Sequence, residues 1–81
     1  MTLQTIEETS TFRLVDRIND GELTLDGLGK EVIQAIIDKL EEEHHLLTAE
    51  YRALPDHDPS WYDEHIFPID RAIADCEDAL E

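Results

Sequence analysis

The sequence has few of the residues that cross-link or interrupt a chain. Cys76 is its one cysteine, which excludes an internal disulfide and suits a reducing compartment. Only three glycines and three prolines are present, as is typical of a helical protein. No basic start is followed by an apolar stretch. We therefore expect no secretion signal and no membrane span, and a cytoplasmic location, in a cell or an infected cell.

Basic residues are also scarce. Six Lys and Arg stand against 21 Asp and Glu, which gives a formal net charge of −15 at pH 7. Such a charge repels phosphates and anionic lipid, so we expect direct contact with neither nucleic acid nor a membrane. It favours a basic protein partner, cation binding, or adaptation to high salt. Lysine occurs only at Lys30 and Lys39, which fits high salt, whereas eight isoleucines fit it less well.

The length of 81 residues is enough for one domain, residues 1–81, and its apolar fraction of 41% is ordinary for a folded protein. A domain of this size has a thin core. Helical spacing of the apolar residues predicts an all-α fold.

The first predicted helix covers residues 5–20. Thr5 and Glu8 have the spacing of a capping box, and Gly21 is a stop signal after the apolar positions end. The polar run at residues 9–11 interrupts the pattern, so the alternative is a helix that begins at Phe12.

The second predicted helix is the longest, with Asp26 as its N-cap and an end at Leu54 before Pro55. Apolar residues repeat along it every seven positions, at Ile33, Leu40, Leu47 and Leu54. At 1.5 Å per residue this helix would reach roughly 40 Å. We therefore expect it to bend, to break near residues 41–43, or to protrude and support a dimer.

The third predicted helix begins after Ser60 as N-cap. Its apolar residues recur at spacings of three and four: Tyr62, Ile66, Ile69, Ile73, Cys76 and Leu80. Pro68 either kinks this helix or lies in the first turn of a new one. The whole pattern predicts a small three-helix bundle, or four helices if the break is real, with one long central helix.

Two groups of side chains suggest a metal site. Glu41/His44 and Glu42/His45 have the spacing of carboxylate-bridged di-iron bundles, but a complete site needs a second such pair. We favour instead a His44 that ends the apolar stripe and a solvated His45. The Asp-rich loop at residues 56–58 lacks the spacing of a calcium loop and is more typical of a turn. No metal ligand is therefore expected.

Catalytic patterns are lacking as well. Cys76 falls on the apolar stripe of the last helix, where it is a core residue before it is a nucleophile. There is no glycine-rich phosphate loop, and the many carboxylates leave no pair distinguished from the rest. We expect no enzyme activity and no cofactor.

The acidic surface is the stronger candidate for function. Carboxylates one or two helical turns apart are separated by roughly 5 to 11 Å, and the shorter spacing approaches that of phosphates along a strand. Trp61, Tyr62 and Phe67 either form an interface anchor or close the end of the bundle. The predicted partner contacts are Glu41, Glu42, Glu43, Asp63, Asp70, Glu77 and Asp78, with Trp61 and Tyr62 as apolar anchors.

Two resemblances accompany this pattern. Residues 56–59, Asp63 and residues 66–68 are loosely similar to the turn of the colicin-type DNase immunity proteins, which are acidic four-helix proteins of this length. The tyrosine pair of that motif is missing here, Tyr62 lies too early, and the preceding helix is too long. In size and charge the chain also resembles phage-encoded nucleic acid mimics, including some anti-CRISPR proteins. Both resemblances imply an inhibitor of a protein that handles nucleic acid.

The sequence therefore predicts an acidic inhibitor, encoded by a phage or mobile element, that covers the basic nucleic-acid-binding surface of a target such as a nuclease or CRISPR effector. The alternatives are a DNase immunity-like protein and a helical assembly protein that forms a homodimer through its long apolar stripe.

Overall fold

The computed structural model describes residues 2–81, and this part of the chain is all-α, with five helices and no strand. The helices are α1 (Leu3–Glu8), α2 (Thr11–Asn19), α3 (Lys30–Ala53), α4 (Pro59–His65) and α5 (Phe67–Leu80). The predicted helical bundle with one long central helix is confirmed.

The first predicted helix is in fact two, because the chain becomes extended at Thr9 and Ser10. Thr2 caps α1 by accepting a hydrogen bond from the Thr5 amide, so the predicted capping box of Thr5 and Glu8 is wrong. The Ser10 hydroxyl caps α2 in the same way, through the Arg13 amide. Gly21, at φ +79°, follows the end of α2 as its stop signal predicted.

The long helix begins later than predicted. Gly29 occupies the N-cap position of α3, and the residues from 20 to 29 form turns and extended chain. Asp26 is therefore not a cap. The helix ends at Ala53 before Pro55, as expected, and it is unbroken at residues 41–43.

The last segment divides at Pro68 into two helices. Asp58 caps α4 with Pro59 in its first turn, which corrects the prediction of Ser60 as the cap. The chain turns at Ile66 and α5 follows, with Pro68 in its first turn. Of the two alternatives at this proline, the new helix is the one observed.

The core lies where α1, α2, α4 and α5 pack along α3. Its buried residues include Ile33, Leu40 and Leu47 of the predicted stripe, together with Leu14, Ile18, Ile66, Ile69 and Cys76. These three positions of the stripe are thus covered within this chain, whereas Leu54 is half-buried. Self-association through these residues would require the bundle to open.

The helices form an elongated body of 43 × 20 × 20 Å, with α3 extending about 36 Å along it. His44, just past the middle of α3, pairs with Asp70, whereas Leu80 lies beside Lys30 and Gln34 at the start of α3, so α5 runs antiparallel to α3. Within residues 2–81, no helix is both long enough and apolar enough to cross a bilayer.

Candidate partner-binding surface

The surface carries carboxylates with almost no compensating cations. All Asp and Glu side chains are exposed except Glu43 and Asp70, which are half-buried. Across residues 2–81 no Lys or Arg pairs with a carboxylate, and the one close contact of a basic side chain with a carboxylate joins His44 to Asp70. Lys39 instead donates to main-chain oxygens of Ile6 and Glu7. The negative charge is therefore left unneutralised at the surface.

The acidic run on α3 does not form one patch. Consecutive residues of a helix point about 100° apart, so Glu41, Glu42 and Glu43 diverge. Glu41 faces a groove with His45 and Arg52, whereas Glu42 borders the contact with α1. The structure thus distributes these three predicted contacts around the helix.

The predicted acidic row on the last segment is divided by the turn at Ile66. Asp63 lies exposed on α4, and Glu77 and Asp78 lie exposed on α5. Asp78 lines a shallow concavity of the surface with Asp26 and Asp75, so three carboxylates meet there. The sequence pattern did not predict this grouping, because Asp26 lies in the chain before α3 whereas the other two carboxylates lie on α5.

Asp70 is engaged within the molecule. One carboxylate oxygen lies 2.7 Å from His44 Nε2, and the other accepts a hydrogen bond from the Tyr62 hydroxyl at 3.2 Å. The negative charge of Asp70 and partial burial raise the pKa of the Tyr62 phenol above 10.0, because both disfavour the phenolate. Asp70 thus links α3, α4 and α5 and is the least available of the predicted contacts.

The two aromatic anchors close one end of the bundle. Trp61 and Tyr62 are half-buried, and both lie against Tyr51, with ring centroids 5.8 and 5.5 Å away. His65 approaches the Trp61 ring to 4.6 Å. Phe67 is 53% exposed and lies outside this cluster. Part of each anchor's surface still faces solvent.

The histidines and the cysteine have structural positions. No three His, Cys, Asp or Glu side chains within residues 2–81 are placed to hold a metal ion. His57 Nε2 donates to the Arg52 carbonyl at 3.1 Å and helps to fold the Asp-rich loop into a turn. Cys76 is fully buried, and burial raises the pKa of its thiol to about 11, so the reactive thiolate is disfavoured.

Comparisons with protein-family models, with curated proteins and with solved structures found no match.

Proposed function

We propose that this protein is an acidic inhibitor that binds the basic nucleic-acid-binding surface of a target protein and excludes nucleic acid from it. The target class is a nuclease or CRISPR effector, and the gene belongs to a phage or mobile element. Inhibition is by steric and electrostatic occlusion, without turnover.

The observation that carries this proposal is the density of unneutralised charge along an elongated body. Fifteen net negative charges over 43 Å amount to one charge per about 2.9 Å. Duplex DNA carries roughly one charge per 1.7 Å of its axis, and each of its strands roughly one per 3.4 Å. A protein surface built to hold phosphates with Lys and Arg would therefore meet a comparable field here.

The described contacts also support a rigid presentation of that charge. Carboxylates on α3 and α5 are mounted on helices packed against a common core, so little ordering is needed on binding. Glu41, Glu77 and Asp78 are exposed, and the half-exposed rings of Trp61 and Tyr62 offer apolar area at the end of the body. Association is expected to be fast and salt-sensitive.

The test is capture of binding proteins from host lysate with the tagged protein, followed by elution with salt or with competing DNA. Basic nucleic-acid-binding proteins are expected, released by either treatment. The proposal is wrong if the captured proteins are acidic, or if neither salt nor DNA releases them.

Two triple variants with equal charge change sharpen this test. Glu41→Gln/Glu77→Gln/Asp78→Asn neutralises predicted contacts, whereas Glu8→Gln/Asp16→Asn/Glu22→Gln neutralises exposed acids elsewhere. The first variant is expected to lose about tenfold or more in affinity, since each rim charge contributes modestly, and the second about twofold. Equal losses would show that the predicted contacts are not the binding surface.

A further inference from the structure

A small cleft at the aromatic end of the molecule combines an apolar wall with two carboxylates. It is lined by Leu54, Pro55, Asp56, Asp58 and Trp61, and we call it the Trp61 cleft. Its volume is about 200 Å³, space for roughly six water molecules at liquid density. That is below the range of roughly 300–1,000 Å³ usual for small-molecule and cofactor sites. The cleft is sized for one side chain.

Several contacts hold the walls of the cleft in place. The Tyr51 hydroxyl donates to the His57 carbonyl at 2.9 Å, and the His57 ring donates to the Arg52 carbonyl, so two hydrogen bonds hold the loop to α3 at His57. Asp58 accepts from the Ser60 amide through one oxygen at 3.0 Å. Trp61 is fixed by its contact with Tyr51. A ligand would therefore meet a preformed cleft, which lowers the entropy cost of binding.

The charges around the cleft favour a positively charged ligand. The cleft adjoins the C-terminal end of α3, where the helix dipole places partial negative charge. The carboxylate of Asp58 offsets the opposite charge at the start of α4, and Asp56 adds a further negative charge. No Lys or Arg side chain within residues 2–81 forms an ion pair with either carboxylate.

We propose that the Trp61 cleft receives an arginine side chain of the partner protein. The methylene groups of arginine would pack on Leu54, Pro55 and the Trp61 ring, while the guanidinium donates to Asp56 and Asp58. Arginine fits better than lysine because its planar group has five donors, stacks on aromatic rings and is more weakly hydrated. This inference rests on the proposed function. It states that one arginine of the target's basic surface binds in the Trp61 cleft.

Trp61 is the single tryptophan of the chain, so its fluorescence reports on the cleft. The titrants are two tryptophan-free peptides at low salt, one of six arginines and one of six lysines. The arginine peptide is expected to change the Trp61 emission and to bind about tenfold more tightly than the lysine peptide. Equal affinity of the two peptides, or an unchanged emission on binding, would overturn the assignment.

The double variant Asp56→Asn/Asp58→Asn tests the carboxylates, and asparagine preserves the cap of α4. It is expected to lose about tenfold in affinity for the arginine peptide. The matched control Asp16→Asn/Glu22→Gln makes the same charge change at exposed positions on α2 and the turn after it, outside the lining of the cleft, and is expected to lose about twofold. Circular dichroism confirms that each variant remains folded.

The outcomes separate this assignment from the proposed function. If both double variants weaken binding equally, attraction is diffuse, which contradicts the cleft and leaves the inhibitor proposal standing. If neither peptide binds the unmodified protein at low salt, both the cleft and the proposed function are contradicted.

Discussion

Asp70 is the residue on which the arrangement of three helices depends. Its two carboxylate oxygens contact His44 on α3 and Tyr62 on α4, while its main chain belongs to α5. Its side chain is 41% exposed, so water screens its charge, and hydrogen bonding is the larger contribution.

Replacing Asp70 with alanine removes both contacts. We expect Asp70→Ala to lower the free energy of unfolding by about 1 kcal/mol, the usual worth of such hydrogen bonds. Asp75→Ala, an exposed acid on the same helix, should change it by less than about 0.5 kcal/mol. Urea denaturation measures both values. Similar losses in the two variants would show that Asp70 has no special role.

Titration of the Tyr62 phenol reports on its hydrogen bond with Asp70. Its pKa is raised in the folded protein, mainly by the Asp70 charge, so the protonated phenol favours folding. This stabilisation is complete below the unfolded value near 10.0 and is lost as the pH rises through the folded value.

In a Tyr51→Phe background, where Tyr62 is the remaining phenol, ultraviolet absorbance should show phenolate forming above pH 10.0. Adding Asp70→Ala should lower that midpoint. A midpoint insensitive to Asp70 would contradict the hydrogen bond.

At the scale of elements, α1 is stabilised by contacts with the rest of the bundle, because it is too short to be stable alone. Six residues are too few for a stable isolated helix. Ile6 is buried in the core, and Lys39 Nζ donates to the carbonyls of Ile6, Glu7 and Thr9 at the end of α1. This cation also suits the negative end of the helix dipole.

The two lysines of the chain provide a matched comparison on one helix. Lys39→Ala should leave the carbonyls at the end of α1 without their donor and speed amide hydrogen exchange in α1 about tenfold or more. Lys30→Ala, at an exposed position, should leave that exchange nearly unchanged. Equal protection of α1 in both variants would show that Ile6 alone anchors it.

Sequence patterns predicted the long helix and the core face of α5 because apolar spacing is a property of each segment alone. They failed at helix starts. Thr2 and Asp58 cap α1 and α4 with the same chemistry that Thr5 and Ser60 offer, and α3 begins at Gly29, which has no side chain to form a cap. The pairing of His44 with Asp70 was not predictable, since it joins two helices across the bundle. The Trp61 cleft could not be predicted from the sequence for the same reason, because its walls come from the ends of α3 and α4.

At the scale of the whole molecule, self-repulsion is the cost of the acidic surface. The net charge of −15 opposes a compact state, and within residues 2–81 there is no Lys or Arg ion pair for added salt to weaken.

Sodium chloride should therefore raise the thermal midpoint of unfolding. An increase of about 1 kcal/mol in stability corresponds to roughly 4–8 °C for a chain of this size. The Glu8→Gln/Asp16→Asn/Glu22→Gln variant should have a higher thermal midpoint at low salt, and added salt should raise that midpoint less. A midpoint that is independent of salt in the unmodified protein would contradict strong self-repulsion.

In the proposed function, the protein and nucleic acid compete for one basic surface of the target. The most direct measurement is the affinity of the protein for a purified captured partner, with and without saturating DNA or RNA and over a range of salt. We predict that the apparent Kd rises in proportion to the nucleic acid concentration, and that the affinity falls steadily as salt increases. A Kd that nucleic acid leaves unchanged would contradict occlusion of that surface.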